Sequence, residues 1–341
     1  MKGRQIALDH LDGHEAAALL VDGRLDDLLI DSDLPRPGTI YRAIADRPMK
    51  GQGGVFVKTP DGAAFLRQIK GLAPGQPILV QVSGHAEPGK AIPVTARLLF
   101  KSRYAIVTPE APGLNISRSI RDDDLRDTLL SLAHEEMGGG AMGLILRSSC
   151  ADADPEAIRD DIRAMADLAT AILDDAEDPS TAKLTEGDSP HSLCWREWTE
   201  SAALETQDGS FETLGILDQI EDLLSPYTGL PAGASMAIEP TRALVAIDVN
   251  TGSDTSPAAG MKANLAAARD LPRQLRLRGL GGQITLDLAP MPKKDRKRFE
   301  SALRAAFRAD TVETALVGWT PLGHFELQRK RDRRPLTEVL K

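Results

Sequence analysis

The stretches ALVAIDVN (residues 243–250) and QITLDLAPM (residues 283–291) decide the fold of the last third of the chain. In each, apolar residues alternate with small or polar ones, which is the period-two pattern of a strand with one buried face. The expected buried residues are Val245, Ile247 and Val249 in the first strand and Ile284, Leu286 and Leu288 in the second. KANLAAARDLPRQLRLRG (residues 262–279) between them is helical in pattern, and Pro272 is expected to kink or restart that helix. Strand, helix and strand in this order predict two parallel neighbouring strands.

Polar side chains lie at the ends of both predicted strands. Asp248 and Asn250 share one face of the first strand, and Asp287 lies near the end of the second. Because parallel strands end at the same edge of a sheet, we expect these three side chains to converge there. Two carboxylates and an amide oxygen suit Mg²⁺, which activates water and stabilises charge on a phosphodiester. From spacing alone, helix caps or turn hydrogen bonds account for the aspartates equally well.

The charge distribution is uneven along the chain. The net charge of -9 argues against a nucleic-acid binder, since phosphates must be neutralised by Lys and Arg. Residues 269–334, however, hold 16 Lys or Arg and 8 Asp or Glu, a net charge of +8. KKDRKR (residues 293–298) and RKRDRR (residues 329–334) are dense basic clusters of the kind that bind phosphate backbones. The alternative for such clusters is a solvated helix face or a basic tail.

Composition excludes several classes of protein. At 341 residues, with 42% hydrophobic and 27% charged residues, the chain is expected to form two or three soluble folding units. It has no apolar run of about 18–20 residues and no apolar signal core, so a cytoplasmic protein without membrane association is expected. Cys150 and Cys194 stand alone, and the six histidines have no metal-binding spacing, so no zinc site is predicted. Any bound metal should be held by carboxylates.

The first 209 residues give a weaker pattern. EAAALLVDGRLDDLLI (residues 15–30) predicts a strand pair, and the short strands between residues 38 and 97 predict a small barrel. GHAEPGKA (residues 84–91) fits part of a nucleotide-binding loop, but Ala91 and Pro93 exclude the Mg²⁺-binding hydroxyl and the following helix, so a hairpin loop is predicted.

Residues 98–178 predict further strands and two helices. One helix starts near Asp122, and the other spans residues 154–175 with Ile158, Ile162, Met165 and Leu168 on one face. Residues 177–209 are polar and are expected to be a linker with one short element.

Three blocks resemble consecutive parts of the catalytic domain of ribonuclease E/G proteins: ALVAIDVNTG, NLAAARDLPRQLRLRGLGGQITLDLAPM and LGHFELQRKR. The resemblance implies that Asp248 and Asp287 bind the catalytic Mg²⁺ and that Asn250 positions Asp287 or the metal-bound water. It also implies hydrolysis of single-stranded RNA to 5′-phosphate and 3′-hydroxyl ends.

More weakly, GGVFVKTPDGAAFLRQI resembles the OB-fold RNA-binding domain of the same family, with Phe56 and Phe65 at its two RNA-contacting aromatic positions. Barrel core is the alternative for both rings. GLILRSS resembles the central strand of the family's 5′-monophosphate pocket, with Arg147 as the phosphate clamp and Ser148 in place of a threonine. Arg118 and Lys90 resemble two further basic positions of that pocket.

The resemblance implies an α/β, or α+β, multidomain fold. A split RNase H-like scaffold (residues 1–37 and a shortened 179–238) would carry an OB-fold barrel (38–97) and a 5′-sensor region (98–178). A C-terminal DNase I-like α/β nuclease domain would occupy residues 239–341. The family's CPxC-type zinc link is absent before Lys341, so a zinc-linked dimer is not expected. The sequence does not exclude a homodimer that forms without zinc.

Two other functions are alternatives to the nuclease. An RNA-binding protein of the same fold with little or no cleavage activity is the main alternative, favoured by the acidic remainder of the chain. A dinucleotide-binding enzyme is poorly supported, because no GxGxxG opens a helix.

Overall fold

The computed structural model describes residues 3–49, 53–67, 69, 71–254 and 256–340. It has a mixed α/β fold that divides into two compact units. The discontinuous unit consists of residues 1–31 and 201–341, and the central unit consists of residues 32–200.

In the described residues up to 200 the elements are β1 (Arg4–Leu11), β2 (His14–Val21), β3 (Arg24–Ile30), β4 (Ile40–Met49), β5 (Gly54–Thr59), β6 (Gly62–Arg67), β7 (Pro77–Val82), β8 (Ile92–Thr95), β9 (Phe100–Lys101), β10 (Ala105–Thr108), β11 (Leu114–Ile116), α1 (Asp123–Met137), β12 (Gly143–Leu146), α2 (Pro155–Asp174), β13 (Ala182–Thr185) and α3 (Pro190–Glu197). After residue 200 they are β14 (Ala203–Glu205), α4 (Ser210–Thr213), α5 (Ile216–Leu224), β15 (Tyr227–Gly229), β16 (Ser235–Pro240), β17 (Val245–Asn250), α6 (Pro257–Leu277), β18 (Gly282–Asp287), α7 (Arg296–Ala309), β19 (Thr314–Trp319), β20 (Phe325–Arg329) and α8 (Leu336–Val339).

The central unit contains the predicted barrel. Strands β4, β5, β6, β8 and β7 pair in that order, and β7 pairs again with β4, which closes an OB-like barrel of five strands. Alternate residues of each strand point inward, so Tyr41, Val57, Leu66 and Val80 fill its interior. Residues 84–91 join the antiparallel strands β7 and β8, which confirms a hairpin loop at the GxxxxGK sequence.

A second sheet of the central unit has the strand order β11-β12-β10-β9 and packs against α1 and α2. Helix α2 begins as predicted: Asp154 accepts a hydrogen bond from the Glu156 N–H at 3.0 Å, and Pro155 occupies the first turn. Ile158 and Ile162 are buried and Met165 packs against the same core, whereas Leu168, predicted on the same face, is 36% exposed. Ala169 and Ile172 continue that face, as the 3.6-residue period requires.

The predicted linker at residues 177–209 is more ordered than expected. Strand β13 pairs antiparallel with β4 of the barrel, α3 follows it, and β14 pairs in parallel with β1 of the discontinuous unit's own sheet. The polar composition misled the prediction because these short elements present few buried side chains of their own. Their backbone hydrogen bonds are made to distant strands, a feature that local composition does not reveal.

The N-terminal part of the discontinuous unit contains the predicted strand pair as β2 and β3, together with an unpredicted first strand, β1. Two tight Asp-Gly turns connect them, at residues 12–13 and 22–23. All four turn residues have positive φ, from 49° to 84°, as two-residue hairpin turns require. The sheet order is β14-β1-β2-β3, and α5 covers its buried face.

The second sheet of this unit carries the two strands on which the sequence argument rests. Its order is β15-β16-β17-β18-β20-β19, and β17 pairs with β18 in parallel, as predicted. Helix α6 makes the crossover and buries Ala267, Leu271 and Leu275 against the sheet. It begins at Pro257 and continues through Pro272 to Leu277, so the restart expected at Pro272 does not occur.

The end of β18 also differs from the prediction. Ile284 and Leu286 are buried as expected, but the strand ends at Asp287; beyond it Leu288 is half-buried and packs against the same core, and Ala289 is buried. Once the strand stops, the period of two no longer applies.

Candidate active site at the ends of two parallel strands

Asp248 and Asp287 are direct partners in the parallel pairing of β17 and β18. Residues paired in register on parallel strands point to the same face, and neighbouring strands lie about 4.8 Å apart. Both side chains are on the exposed face, while Ile247 and Leu286, the preceding residues, are buried on the other. The predicted juxtaposition of the two carboxylates is therefore present.

Asn250 belongs to the same cluster, but it contacts a different aspartate from the one expected. Its Nδ2 donates a hydrogen bond of 2.7 Å to Asp248 Oδ2. The prediction is that Asn250 positions Asp287 or a metal-bound water. The change follows from strand geometry, because residues i and i+2 of one strand share a face and lie close together.

His324 is a further member of the cluster that sequence reasoning missed. Its Nε2 lies 3.7 Å from Asp287 Oδ1. Phe325, the next residue, pairs with Leu286 across the antiparallel strands β18 and β20, and this register brings His324 beside Asp287. The position of a residue relative to a distant strand was the missing information.

Asn264 of α6 is a second residue that was missed. It is fully buried, its Nδ2 donates to the Ala289 carbonyl at 2.8 Å, and its Oδ1 accepts from the Ala289 N–H at 3.0 Å. This reciprocal pair fixes the backbone two residues after Asp287. The helix also approaches closely at Gly260, where a Cβ would lie 2.4 Å from the Pro290 carbonyl oxygen.

The donor set fits a hard divalent cation. Two carboxylates and an amide present only oxygen ligands to a metal, the type that Mg²⁺ prefers, and Mg²⁺ is commonly held by one or two carboxylates with its waters kept. Within the described part of the chain, no group of three or more His, Cys, Asp or Glu side chains is arranged to hold a metal. Asp248 and Asp287 would therefore hold such an ion as a pair.

The basic side chains of the two clusters differ in exposure and in their hydrogen-bond partners. In KKDRKR, Lys293 and Lys294 are exposed just before α7 and Lys297 is exposed in its first turn, so all three are available to phosphates. In RKRDRR, Arg329 is 1% exposed and its guanidinium bonds Asp310 and Thr314, while Arg333 bonds Asp27. Much of the second cluster is therefore structural, and its interpretation as a phosphate-binding cluster is wrong for these two arginines.

Phe56 and Phe65 lie on the outside of the barrel. They are cross-strand partners on β5 and β6, with ring centroids 5.2 Å apart. Both rings are half-buried, and the residues flanking them in sequence point into the barrel, so the alternative that the two rings form barrel core is wrong. Arg47 lies over the Phe56 ring at 5.5 Å. The pair forms an aromatic surface with a cation beside it.

The predicted 5′-end residues are brought together in part. β11 and β12 are parallel, with Ile116 opposite Leu146, so Arg118, Arg147 and Ser148 follow at the same edge of the sheet. Arg118 and Ser148 are exposed. Lys90 lies in the β7–β8 loop, where it pairs with Glu87 at 2.8 Å.

Arg147 already has protein partners for its guanidinium. Its Nη1 donates to the Ser102 carbonyl at 2.7 Å and to the Arg196 carbonyl at 3.3 Å, and its Nη2 donates to Glu197 Oε2 at 2.7 Å. Burial opposes ionisation of Glu197, but Arg147 and Arg196 outweigh it and lower the pKa of that carboxyl. A bound phosphate would have to share Arg147 with this carboxylate.

Comparison with known proteins places these features in a family. The model of the ribonuclease E/G family matches residues 100–203 and 196–332, which is more than half of the chain. The chain belongs to the ribonuclease E/G family. The three blocks that carry the resemblance, at residues 243–252, 264–291 and 322–331, all lie within the second matched segment.

Individual members of the ribonuclease E/G family are similar along almost the whole chain. Ribonuclease E of Synechocystis sp. is 28% identical over 383 residues, which cover 96% of this chain and 57% of the relative. Ribonuclease G of Salmonella typhimurium is 26% identical over 393 residues, covering 95% of this chain and 79% of the relative. The chain thus spans little more than half the length of the ribonuclease E relative. No helix in the described residues is long and apolar enough to cross a membrane.

Proposed function

We propose that this chain is a Mg²⁺-dependent endoribonuclease that cleaves single-stranded RNA to 5′-phosphate and 3′-hydroxyl ends in RNA processing or decay. The observation that carries the proposal is the in-register, same-face pairing of Asp248 and Asp287 at the ends of two parallel strands. The names of the relatives, ribonuclease E and ribonuclease G, support an RNA substrate.

Each residue of the cluster has a distinct proposed task. Asp248 and Asp287 would hold the Mg²⁺ ion, which when bound supplies an activated water and stabilises charge on the phosphodiester. Asn250 holds the Asp248 carboxylate in one orientation through its 2.7 Å hydrogen bond. The exposed lysines at the start of α7 would attract the RNA backbone, and this attraction would weaken as salt increases.

The RNA would also contact the central unit. The half-buried Phe56 and Phe65 rings offer two stacking surfaces, and stacking of a base on an aromatic side chain contributes about 1–3 kcal/mol. Arg147 and Ser148, with Arg118 and Lys90, are proposed to recognise a 5′-monophosphate and so stimulate cleavage. The finer domain architecture, a split RNase H-like scaffold around the barrel and sensor with a DNase I-like nuclease domain at residues 239–341, is part of the same proposal.

Substitution of the two aspartates tests the proposal. A 5′-monophosphorylated, single-stranded oligoribonucleotide is incubated with Mg²⁺ and with the original chain, Asp248→Asn or Asp287→Asn. We expect each variant to cleave at least about 100-fold more slowly, because one charge of the metal site is lost while size is preserved. Asp218→Asn, an exposed aspartate of α5 in the same unit, is the matched control and should cleave normally.

The same experiment decides between the nuclease and the RNA-binding alternative. Product ends are identified by labelling, and RNA binding is measured in parallel by fluorescence anisotropy. Binding by the original chain without any Mg²⁺-dependent cleavage would assign the chain to the class of RNA-binding proteins that share this fold.

A further inference from the structure

Trp195 is an exposed aromatic side chain in the last turn of α3. It is 64% exposed, whereas its neighbours Cys194 and Trp198 on the same short segment are 3% and 8% exposed. The helix thus buries one side and leaves this large apolar ring outside. A single exposed apolar side chain is common on a protein surface, so the groups around the ring, and not its exposure alone, indicate a ligand.

The ring is held on one side by a fixed cation. The Arg103 guanidinium carbon lies 4.1 Å from the centroid of the Trp195 ring. Arg103 is itself held in place, because its Nη1 donates to the Trp195 carbonyl and its Nη2 donates to the Thr199 carbonyl at 3.3 Å. With one face covered by Arg103, the exposure of the residue must come largely from the opposite face and the ring edge.

The Trp195–Arg103 pair is preorganised to stack on a flat ligand. Both partners are already ordered, so little side-chain entropy remains to be lost when a ring stacks on the open face. Every nucleobase has a π-face, and stacking on an aromatic side chain beside an arginine is a common means of holding single-stranded nucleic acid.

The neighbourhood favours a nucleotide over an uncharged ligand. Arg147 Nη1 donates to the carbonyls of Ser102 and Arg196. These two residues are the sequence neighbours of Arg103 and Trp195, respectively. The stacking pair and the proposed phosphate-binding residue therefore lie side by side. Arg147 forms an ion pair with Glu197, and Arg196 forms ion pairs with Glu197 and Asp188, whereas the Arg103 guanidinium lies over the Trp195 ring.

We propose that Trp195 and Arg103 form a stacking platform for the 5′-terminal nucleobase of single-stranded RNA, beside the terminal phosphate at Arg147 and Ser148. The inference rests on the proposed function, because it takes RNA as the ligand. It adds a base-binding site in the central unit that is separate from the Phe56 and Phe65 surface of the barrel.

Binding measurements without divalent metal test the platform independently of cleavage. The probe is a single-stranded oligoribonucleotide with a 5′-monophosphate and a 3′-fluorophore, in buffer with EDTA. We expect Trp195→Leu to raise the Kd about tenfold and Trp195→Phe, which keeps a ring, to raise it by less than about threefold. Leu168→Ala, another exposed apolar position of the central unit, is the control and should bind as the original chain does.

An abasic nucleotide at the 5′ end makes the test specific to the terminal base. The original chain should lose about tenfold in affinity for the abasic RNA, and Trp195→Leu should lose little more, because both changes remove the same contact. Equal Kd values for the original chain and Trp195→Leu, or additive losses in this cycle, would overturn the platform.

The outcomes keep this inference apart from the proposed nuclease function. RNA binding that depends on Trp195 without Mg²⁺-dependent cleavage would support the platform and contradict the nuclease. Mg²⁺-dependent cleavage together with RNA binding that does not depend on Trp195 would support the nuclease and contradict the platform. Absence of RNA binding by the original chain would overturn both.

Discussion

A single hydrogen bond from Asn250 sets the orientation of Asp248. Groups that orient a metal ligand commonly change metal affinity by about 10- to 100-fold when they are removed. We therefore expect Asn250→Ala to raise the Mg²⁺ concentration for half-maximal cleavage by that range, with a smaller effect on the rate at saturating Mg²⁺. A Mg²⁺ titration of the cleavage rate measures both quantities.

The control for this prediction is Asn115→Ala, an exposed asparagine on β11 of the central unit. It should leave the titration unchanged. If Asn250→Ala lowered the maximal rate and left the half-saturating Mg²⁺ concentration as it was, the amide would act on the substrate and not on Asp248.

Glu197 competes for the guanidinium that the 5′-phosphate is proposed to use. Its Oε2 lies 2.7 Å from Arg147 Nη2, and its negative charge would repel a phosphate at that position. We expect Glu197→Gln to increase the ratio of cleavage rates for 5′-monophosphate over 5′-hydroxyl RNA several-fold. Arg147→Ala should bring that ratio close to one.

Rates on the two RNAs, which differ only at the 5′ end, provide the measurement. Glu110→Gln, at an exposed glutamate of the same unit, serves as the charge-matched control and should leave the ratio unaltered. A lower ratio in Glu197→Gln would mean that the carboxylate holds Arg147 in its working position instead of competing with phosphate.

Among the elements, α6 does more than join β17 to β18. Through Asn264 it bonds both the N–H and the carbonyl of Ala289, just beyond Asp287. We expect Asn264→Ala to leave these two buried groups unpaired and to lower the free energy of unfolding by about 1–3 kcal/mol or more. Cleavage should also slow, because the chain after Asp287 loses its anchor.

Urea denaturation at pH 7 and cleavage assays under conditions where the variant stays folded check this expectation. Asn115→Ala again provides an exposed comparison, for which a change within about 0.5 kcal/mol is expected. Full cleavage activity in a destabilised Asn264→Ala would show that the anchor serves stability alone.

The elements that the sequence predicted well are those whose partners are close in the chain. β17, α6 and β18 have clear periods, and a short crossover between strands leaves a parallel pairing as the natural topology. The juxtaposition of Asp248 and Asp287 follows from that topology. The apolar stretch at residues 15–30 likewise predicted the strand pair β2 and β3, which are joined by a tight Asp-Gly turn.

The elements and contacts that the sequence did not predict depend on distant residues. β13 is defined by its pairing with β4, about 140 positions earlier, and His324 reaches Asp287 only through the β18–β20 register. Arg333 was expected to face phosphate, but it bonds Asp27, which is 306 positions away in the chain. Composition and periodicity describe neighbours within one element, so neither can assign such partners.

At the scale of the whole chain, both ends contribute to the discontinuous unit. Leu20, Leu25 and Leu28 from the N-terminal strands share a core with Phe211 and Ile220. Charged groups repeat this connection. Arg24 donates to Asp270 at 3.0 Å, and Arg276 bonds the Asp26 carbonyl at 2.7 Å. The N-terminal strands are therefore part of the scaffold that supports α6, the helix behind the proposed active site.

Asp270 makes this scaffold sensitive to acid. Burial would raise the pKa of its carboxyl, but hydrogen bonds from Arg273 at 2.8 Å and Gln274 at 3.0 Å, with the charge of Arg24, lower it below the ordinary value of 3.8. A carboxyl whose pKa is lower in the folded state stabilises that state above the unfolded pKa. The contribution is lost as pH falls through the folded pKa.

We therefore expect Asp270→Asn to be less stable than the original chain at pH 7 and to lose less stability as pH falls from about 5 to 3. Urea unfolding at successive pH values gives the two curves, which should approach each other in acid because the original chain is then protonated at Asp270. Asp218→Asn, which removes an exposed carboxyl of the same unit, should follow the original curve. Parallel curves for Asp270→Asn and the original chain would mean that Asp270 takes up no extra proton on unfolding, and its hydrogen bonds with Arg24, Arg273 and Gln274 would then add no pH-dependent stability.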